Sequence, residues 1–232
     1  MNVNEFEDKV IIVTGAAGSL GQAVASYFET RGAQVARLDI VGAAEMPNGI
    51  SCDLFDERSC LDAATEVTQR FGGIDVLANV AGGFAMGTQV HETTADTWEL
   101  MHKLNAGSVV NMARAVVPTL IGQNRQRGNG KIINVAARAG LAGAATMGAY
   151  VAAKSAVIRL TETMAEELKA RGINVNCVMP SIIDTPPNRA AMPDADFAHW
   201  VTPQSIARVI GFLASTAADD LHGAAIPIAG LS

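Results

Sequence analysis

The sequence predicts a doubly wound parallel α/β sheet of about seven strands, with helices on both faces, in a single domain. Three observations lead there. Strand-like and helix-like segments alternate from end to end of the 232 residues, the pattern of successive βαβ units. The first strand, Val10-Ile11-Ile12-Val13-Thr14, is a continuous β-branched run without polar alternation, so it is buried on both faces as in a parallel sheet. Hydrophobic residues make up 49% of the chain and charged residues 17%; that much apolar surface fills a large core and excludes intrinsic disorder.

After the strand at 10–14, helix-period text spans 19–31 and stops at Gly32. A second strand occupies 34–38 and a weaker third 50–54. A helix follows over 56–71, then a strand over 74–79. The segment 95–121 reads as one long helix with Trp98, Met101, Leu104, Met112 and Val116 at helical spacing. Next come a strand at 131–136, a helix over 149–169 with Val157, Met164 and Leu168 on one stripe, and a strand at 173–179. A helix at 203–215 and a strand at 224–229 close the chain. Only 180–203, rich in Pro, Asp and Asn, is irregular. It follows a strand at the carboxyl edge, where open α/β sheets bind ligands.

Composition narrows the function classes. Aromatics are only 5% while glycine numbers 22, which suggests close backbone packing. A net charge of −6 argues against nucleic acid and anionic membranes, since phosphate binding needs clustered positive charge. Cys52, Cys60 and Cys177 form no CxxC, so neither a disulfide framework nor a zinc ribbon is indicated, and a reducing, cytoplasmic setting fits best. Residues 1–9 are acidic and polar, unlike a signal peptide. The blandest run, 138–154, is too short for a membrane span. His91, His102, His199 and His222 have no partner at ligand spacing, so no metal site is expected. The absence of GxSxG gives no support to a serine hydrolase.

Thr14-Gly15-Ala16-Ala17-Gly18-Ser19-Leu20-Gly21 lies between the first strand and the first helix. Glycines there let the backbone turn tightly and approach a pyrophosphate resting on the helix N-terminus. The spacing is not GxGxxG, and a strand-to-helix turn can need glycine for geometry alone. Asp39, at the end of the second strand, is placed to accept the hydroxyls of an adenosine ribose and to repel a 2′-phosphate. No Arg or Lys stands in the glycine turn or just after Asp39, and Arg37 points to the opposite face from Leu38. NAD(H) is therefore favoured over NADP(H). Tyr150 and Lys154 are four apart on a helix and share a face. A free phenol titrates near pH ~10; a neighbouring cation is expected to lower it toward the working range of an acid/base.

The order of glycine turn, Asp39, Asn79-Val80-Ala81-Gly82, Asn105, Tyr150 and Lys154 resembles the short-chain dehydrogenase/reductase superfamily over essentially the whole chain. The resemblance implies a Rossmann fold and NAD(P)H-dependent hydride transfer to or from a small molecule. It implies that Tyr150 is the general acid/base, that Lys154 also holds the nicotinamide ribose, and that Asn105 supports a water beside the lysine. Cofactor contacts carry over to Gly15, Gly18, Ser19, Leu20, Gly21, Asp39, Asp53, Leu54, Asn79, Ala81, Gly82, Pro180, Ile183 and Thr185. Family members commonly pair the 95–121 helix and the Tyr150 helix across a two-fold axis, so a homodimer or homotetramer is expected.

Two positions depart from the family pattern. Ala137 stands thirteen residues before Tyr150, where the family has a serine that binds the substrate oxygen; a methyl cannot do this. The substrate needs no such bond, or a hydroxyl such as Thr146 replaces it, or the chain is a weak enzyme that still binds dinucleotide as a sensor or scaffold. Ser19 replaces a usual glycine, with Gly18 before it. The dihydropteridine reductases are similar in having alanine at the serine position. Val80-Ala81-Gly82-Gly83-Phe84, and the stretch Asp184 to Arg189 with Met192-Pro193-Asp194-Ala195-Asp196-Phe197 and Trp200, look like theirs. That resemblance implies hydride transfer to a quinonoid dihydropterin or another conjugated substrate, with an ordinary carbonyl or alcohol substrate as the alternative. Phe84, Met86, Ala137, Met147 and Trp200 are the expected substrate-pocket residues, with Asn188 and Arg189 either at the substrate or capping the loop.

Overall fold

The computed structural model describes residues 4–127 and 129–231; the first three residues of the polar N-terminal stretch lie outside it. Seven strands form one all-parallel sheet: β1 (Val10–Thr14), β2 (Gln34–Asp39), β3 (Gly49–Ser51), β4 (Val76–Asn79), β5 (Gly130–Val135), β6 (Ile173–Pro180) and β7 (Ala225–Ile228), in spatial order β3-β2-β1-β4-β5-β6-β7. The chain winds outward from β1 to β3, returns to lay β4 on the other flank of β1, and continues to β7. The reversal between β1 and β4 is the switch point at which open α/β sheets leave a crevice.

Both faces of the sheet are covered. Ile11 and Val13 pack with Val24 and Phe28 of α1 (Ser19–Glu29) and with Ile206, Ile210 and Leu213 of α7 (Pro203–Ala214). Val10 and Ile12 face the opposite layer, with Val67 of α2 (Glu57–Phe71), Met112 and Val116 of α4 (Ser108–Arg127), and Leu168 of α5 (Gly148–Leu168). The unbroken β-branched text of β1 is thus explained by burial on both sides.

The segment expected as one helix at 95–121 is α3 (Ala95–His102), a π-helical turn at Lys103–Gly107, and α4, which runs on to Arg127. The carboxamide of Gln123 accepts the Ile74 N–H at 3.2 Å and donates to its carbonyl, tying this extension to the approach to β4. In the stretch expected to be irregular lies α6 (Pro186–Ala191). Thr185 caps it and proline opens its first turn, the two start signals of a helix.

A buried polar chain crosses from the sheet to α5. Asn79 Nδ2 donates to Asn134 Oδ1 at 2.9 Å, Asn134 Nδ2 to Thr161 Oγ1 at 2.9 Å, and Thr161 Oγ1 to the Val157 carbonyl at 2.8 Å. Truncating the middle member strands two buried polar groups. Asn134→Ala should lower the unfolding free energy in urea by about 2–3 kcal/mol with an unchanged m-value; a loss under about 0.5 kcal/mol would show the chain to be incidental.

Candidate active site

The carboxyl ends of β1 to β6 open into one cavity of about 1290 Å³. Its floor is the glycine turn. Gly15 has φ +64°, and a Cβ on it would lie 2.8 Å from Ala81 Cα; one on Gly21 would lie 2.1 Å from the Gly15 carbonyl oxygen. Only glycine lets the turn close against β4 and α1 at both points. The Thr14 hydroxyl completes the closure by accepting the N–H groups of Val80 at 3.0 Å and Ala81 at 3.1 Å. The N-terminus of α1 faces this cradle without a side-chain cap. Among the described residues, nothing accepts the N–H groups of Ser19, Leu20 and Gly21. Free amides at a helix start, lined by side-chain-free backbone, fit a pyrophosphate.

Asp39 stands beside the turn. One carboxylate oxygen accepts the Ala17 N–H at 2.9 Å and the other the N–H groups of Ile40 at 2.8 Å and Val41 at 3.2 Å. It therefore fixes the glycine turn as well as lining the cavity. Arg37 is engaged elsewhere, by a two-pronged bond to Glu29 at 3.1 and 2.8 Å. Asp53 and Leu54 form the next stretch of wall.

At the other end, Lys154 is buried and donates to the Val135 carbonyl at 2.8 Å. A Cβ on Gly82 would stand 3.1 Å from its Nζ and 3.0 Å from Asn105 Oδ1, so glycine makes room for both groups. Asn105, inside the π-helical turn, clamps the loop after β4: Oδ1 accepts the Gly83 N–H at 3.2 Å, and Nδ2 donates to the carbonyls of Gly83 at 3.1 Å and Met101 at 2.9 Å. The Tyr150 ring meets Phe84 edge to face, centroids 4.9 Å apart. Ala136, Ala137, Met86 and Met147 line the same cavity.

The structure brings Gly15, Gly18, Ser19, Leu20, Gly21, Asp39, Asp53, Leu54, Ala81, Gly82, Phe84, Ala137, Met147, Tyr150, Lys154, Pro180, Ile183 and Thr185 to one cavity. Three expected residues do not line it. Asn79 is inside the sheet's polar chain, Asn105 stands behind Gly82 and Gly83, and Trp200 is buried against Phe197, with centroids 4.8 Å apart. Thr146 provides no hydroxyl to the cavity: it has φ +61° and donates to the Ala145 carbonyl at 2.7 Å. Asn188 reaches the wall and donates to the Ile183 carbonyl at 2.8 Å, whereas Arg189 pairs with Asp184. Ile40, Cys52, Leu104 and Arg138 line the cavity unforeseen; each adjoins a flagged residue, and Leu104 enters through the π-helical turn.

The electrostatics differ from the expectation of a lowered phenol. Burial pushes Tyr150 up to about 12 and pushes Lys154 down to about 8. Loss of hydration is the leading cause at both groups. At neutral pH the phenol therefore keeps its proton and the lysine is still mostly charged. Holding that ammonium in the interior opposes folding by about 3 kcal/mol at pH 7. Lys154→Met should raise the unfolding free energy there by about 1–3 kcal/mol. Between about pH 8 and 10 the unfolded chain binds the extra proton, so the wild type gains on the variant and the gap narrows. Urea melts across this range check both points; a variant less stable at pH 7 would contradict them.

Among the described residues, no helix is long and apolar enough to cross a membrane, and no group of three or more His, Cys, Asp and Glu could hold a metal ion. The family model described as short chain dehydrogenase matches residues 9–196. The 3-oxoacyl-[acyl-carrier-protein] reductase of Thermotoga maritima is 34% identical, with 97% of this chain and 98% of the relative covered. The meso-2,3-butanediol dehydrogenase of Serratia marcescens is 31% identical over 97% and 94%. The ligand-free aldohexose dehydrogenase of Thermoplasma acidophilum superposes with a TM-score of 0.86 at 26% identity, covering 99% of this chain and 96% of that one. With the uncapped glycine cradle and the parallel sheet already in place, these likenesses establish that the chain belongs to the short-chain dehydrogenase/reductase family and is an NAD(P)H-dependent oxidoreductase.

Proposed function

We propose that the protein reduces a flat, conjugated substrate of the quinonoid dihydropterin type with NADH, Tyr150 giving the proton. The observation that carries this is the lining of the cavity that holds Tyr150: position 137 offers a methyl, Phe84 meets the phenol edge to face, and Ala136, Met86 and Met147 line the same cavity. Such a lining suits a planar ring whose proton is accepted at a ring atom and whose oxygens need no bond at this point. Thr146 does not stand in for the missing serine.

The bound nicotinamide supplies the hydride. Tyr150, protonated at neutral pH, donates its proton to the substrate. The Lys154 cation stabilises the phenolate left behind; the Val135 carbonyl holds that cation, and Asn105 supports a water beside it. The uncapped start of α1 holds the pyrophosphate, and Asp39 accepts the ribose hydroxyls and disfavours a 2′-phosphate. Ile183 and Thr185 close over the nicotinamide end. The whole chain acts as one dinucleotide-binding unit. Small residues Ala152 and Ala156 on α5 suit two-fold pairing of α4 and α5 in a homodimer or homotetramer, and three free thiols suit a reducing cytoplasm. A carbonyl or alcohol substrate is the second reading, favoured by the butanediol and polyol dehydrogenases among the relatives.

NADH oxidation on a panel of quinonoid dihydropterin and simple ketones separates the readings. Turnover of the pterin is expected, with Tyr150→Phe at least about 100-fold slower; ketone turnover with no pterin turnover overturns the substrate assignment. Above about pH 8 reduction should slow as Lys154 loses its proton. Asp39→Asn should erode a preference for NADH over NADPH that is at least tenfold in kcat/KM in the wild type; equal use of both by the wild type would remove the role given to Asp39.

A further inference from the structure

The geometry points to an oxidisable dithiol at the adenine end of the cavity: Cys52 and Cys60 close to a disulfide when a peroxide enters, and the disulfide weakens dinucleotide binding. The inference rests on the proposed placement of adenosine against Asp53 and Leu54.

Cys52 follows β3 and lines the cavity; Cys60, on α2, is fully buried behind it. Their sulfurs are 4.0 Å apart, so an approach of about 2 Å gives bonding distance. A peroxide entering the cavity meets Cys52 first. The Cys52 S–H donates toward Cys60 Sγ, and the Cys60 S–H toward the Asp53 carbonyl oxygen at 3.7 Å. When Cys52 ionises, the Cys60 S–H can turn to it, which lowers the Cys52 pKa and holds the Cys60 proton in place, although burial, Asp53 and Asp56 oppose ionisation of Cys52. Cys52 is therefore the attacking thiol and Cys60 the resolving one. Cys52 sulfur attacks a peroxide oxygen, the O–O bond breaks, and an alcohol or water leaves, giving a sulfenic acid. Cys60 sulfur then attacks Cys52 sulfur; the S–O bond breaks, hydroxide takes the Cys60 proton, and water leaves. Two thiols are oxidised and one peroxide is reduced.

The bond would pull on a short, tethered segment. Asp53 donates its N–H to Ser59 Oγ at 2.9 Å on the same turn of α2. Once Cys60 has no proton to give, its bond to the Asp53 carbonyl is lost. Closure thus shifts Cys52, Asp53 and Leu54 toward α2 and away from the adenine. Cys177 is buried in β6, does not line the cavity and stays reduced.

Treating the intact protein with hydrogen peroxide tests this. Titratable thiols in the denatured chain should fall from three to one, with peptide mapping placing the bond between Cys52 and Cys60. NADH affinity, read by fluorescence, should weaken at least tenfold and return with dithiothreitol. Cys60→Ala should form no intramolecular disulfide and expose a Cys52 sulfenic acid to dimedone. Three thiols surviving peroxide, or a disulfide that leaves NADH affinity unchanged, overturns the proposal. A protein that forms the disulfide but binds no NADH in either state overturns the dinucleotide reading instead, and leaves the dithiol standing.

Discussion

At Gly15 and Ala81 the molecule brings backbone against backbone: a side chain on Gly15 would sit 2.8 Å from Ala81 Cα, and the Thr14 hydroxyl holds the start of the following loop by two amides. This approach joins the two halves of the winding at the switch point, and most of the cavity depends on it. It aims the start of α1 across the sheet edge. It carries the chain onward so that Gly82 arrives beside Lys154 and Gly83 beside Asn105. A larger residue at either contact would part β1 from the loop after β4, and the pyrophosphate cradle and the lysine pocket would separate together.

The second constraint is electrostatic. Lys154 donates to the Val135 carbonyl beside Gly82, and among the described residues no carboxylate pairs with it. An interior cation without an ionic partner is expensive for folding. Under the proposed mechanism such a cation meets negative charge only during reaction, and a permanent carboxylate would neutralise it beforehand. The phenol is raised by the same loss of hydration, so Tyr150 keeps its proton at neutral pH.

Much of this was legible in the sequence, for identifiable reasons. The β-branched run of β1 and the alternation of segments are direct imprints of two-sided burial, and the glycine turn and Asp39 sit where chain direction must change. Features that depend on distant contacts were less legible. The spacings of 3, 3, 8 and 4 between Trp98, Met101, Leu104, Met112 and Val116 suit one regular helix and carry no mark of the π-helical turn, so 95–121 reads as unbroken. Asn79 looks the same whether it faces a ligand or Asn134. Trp200 matches a pocket residue in type, yet Phe197 draws it into the loop's own core. The raised phenol also escaped the sequence, since spacing reports the neighbouring charge but not the burial. The missing serine was fully visible as Ala137; that the Thr146 hydroxyl is turned to the Ala145 carbonyl became clear only from the structure.

The π-helical turn at Lys103–Gly107 has a consequence for how this family member can vary. An extra residue in a helical turn rotates everything before it by about 100° relative to everything after it. The layer-facing side of α4 and the site-facing side of α3 are thus set by separate phases, and Asn105 lies at the joint. Shortening the turn by one residue would leave a regular helix of similar length whose upstream half is misaligned by a quarter of a revolution. The shape of the substrate end is in this sense an angular setting, preserved as long as the miscounted turn is preserved.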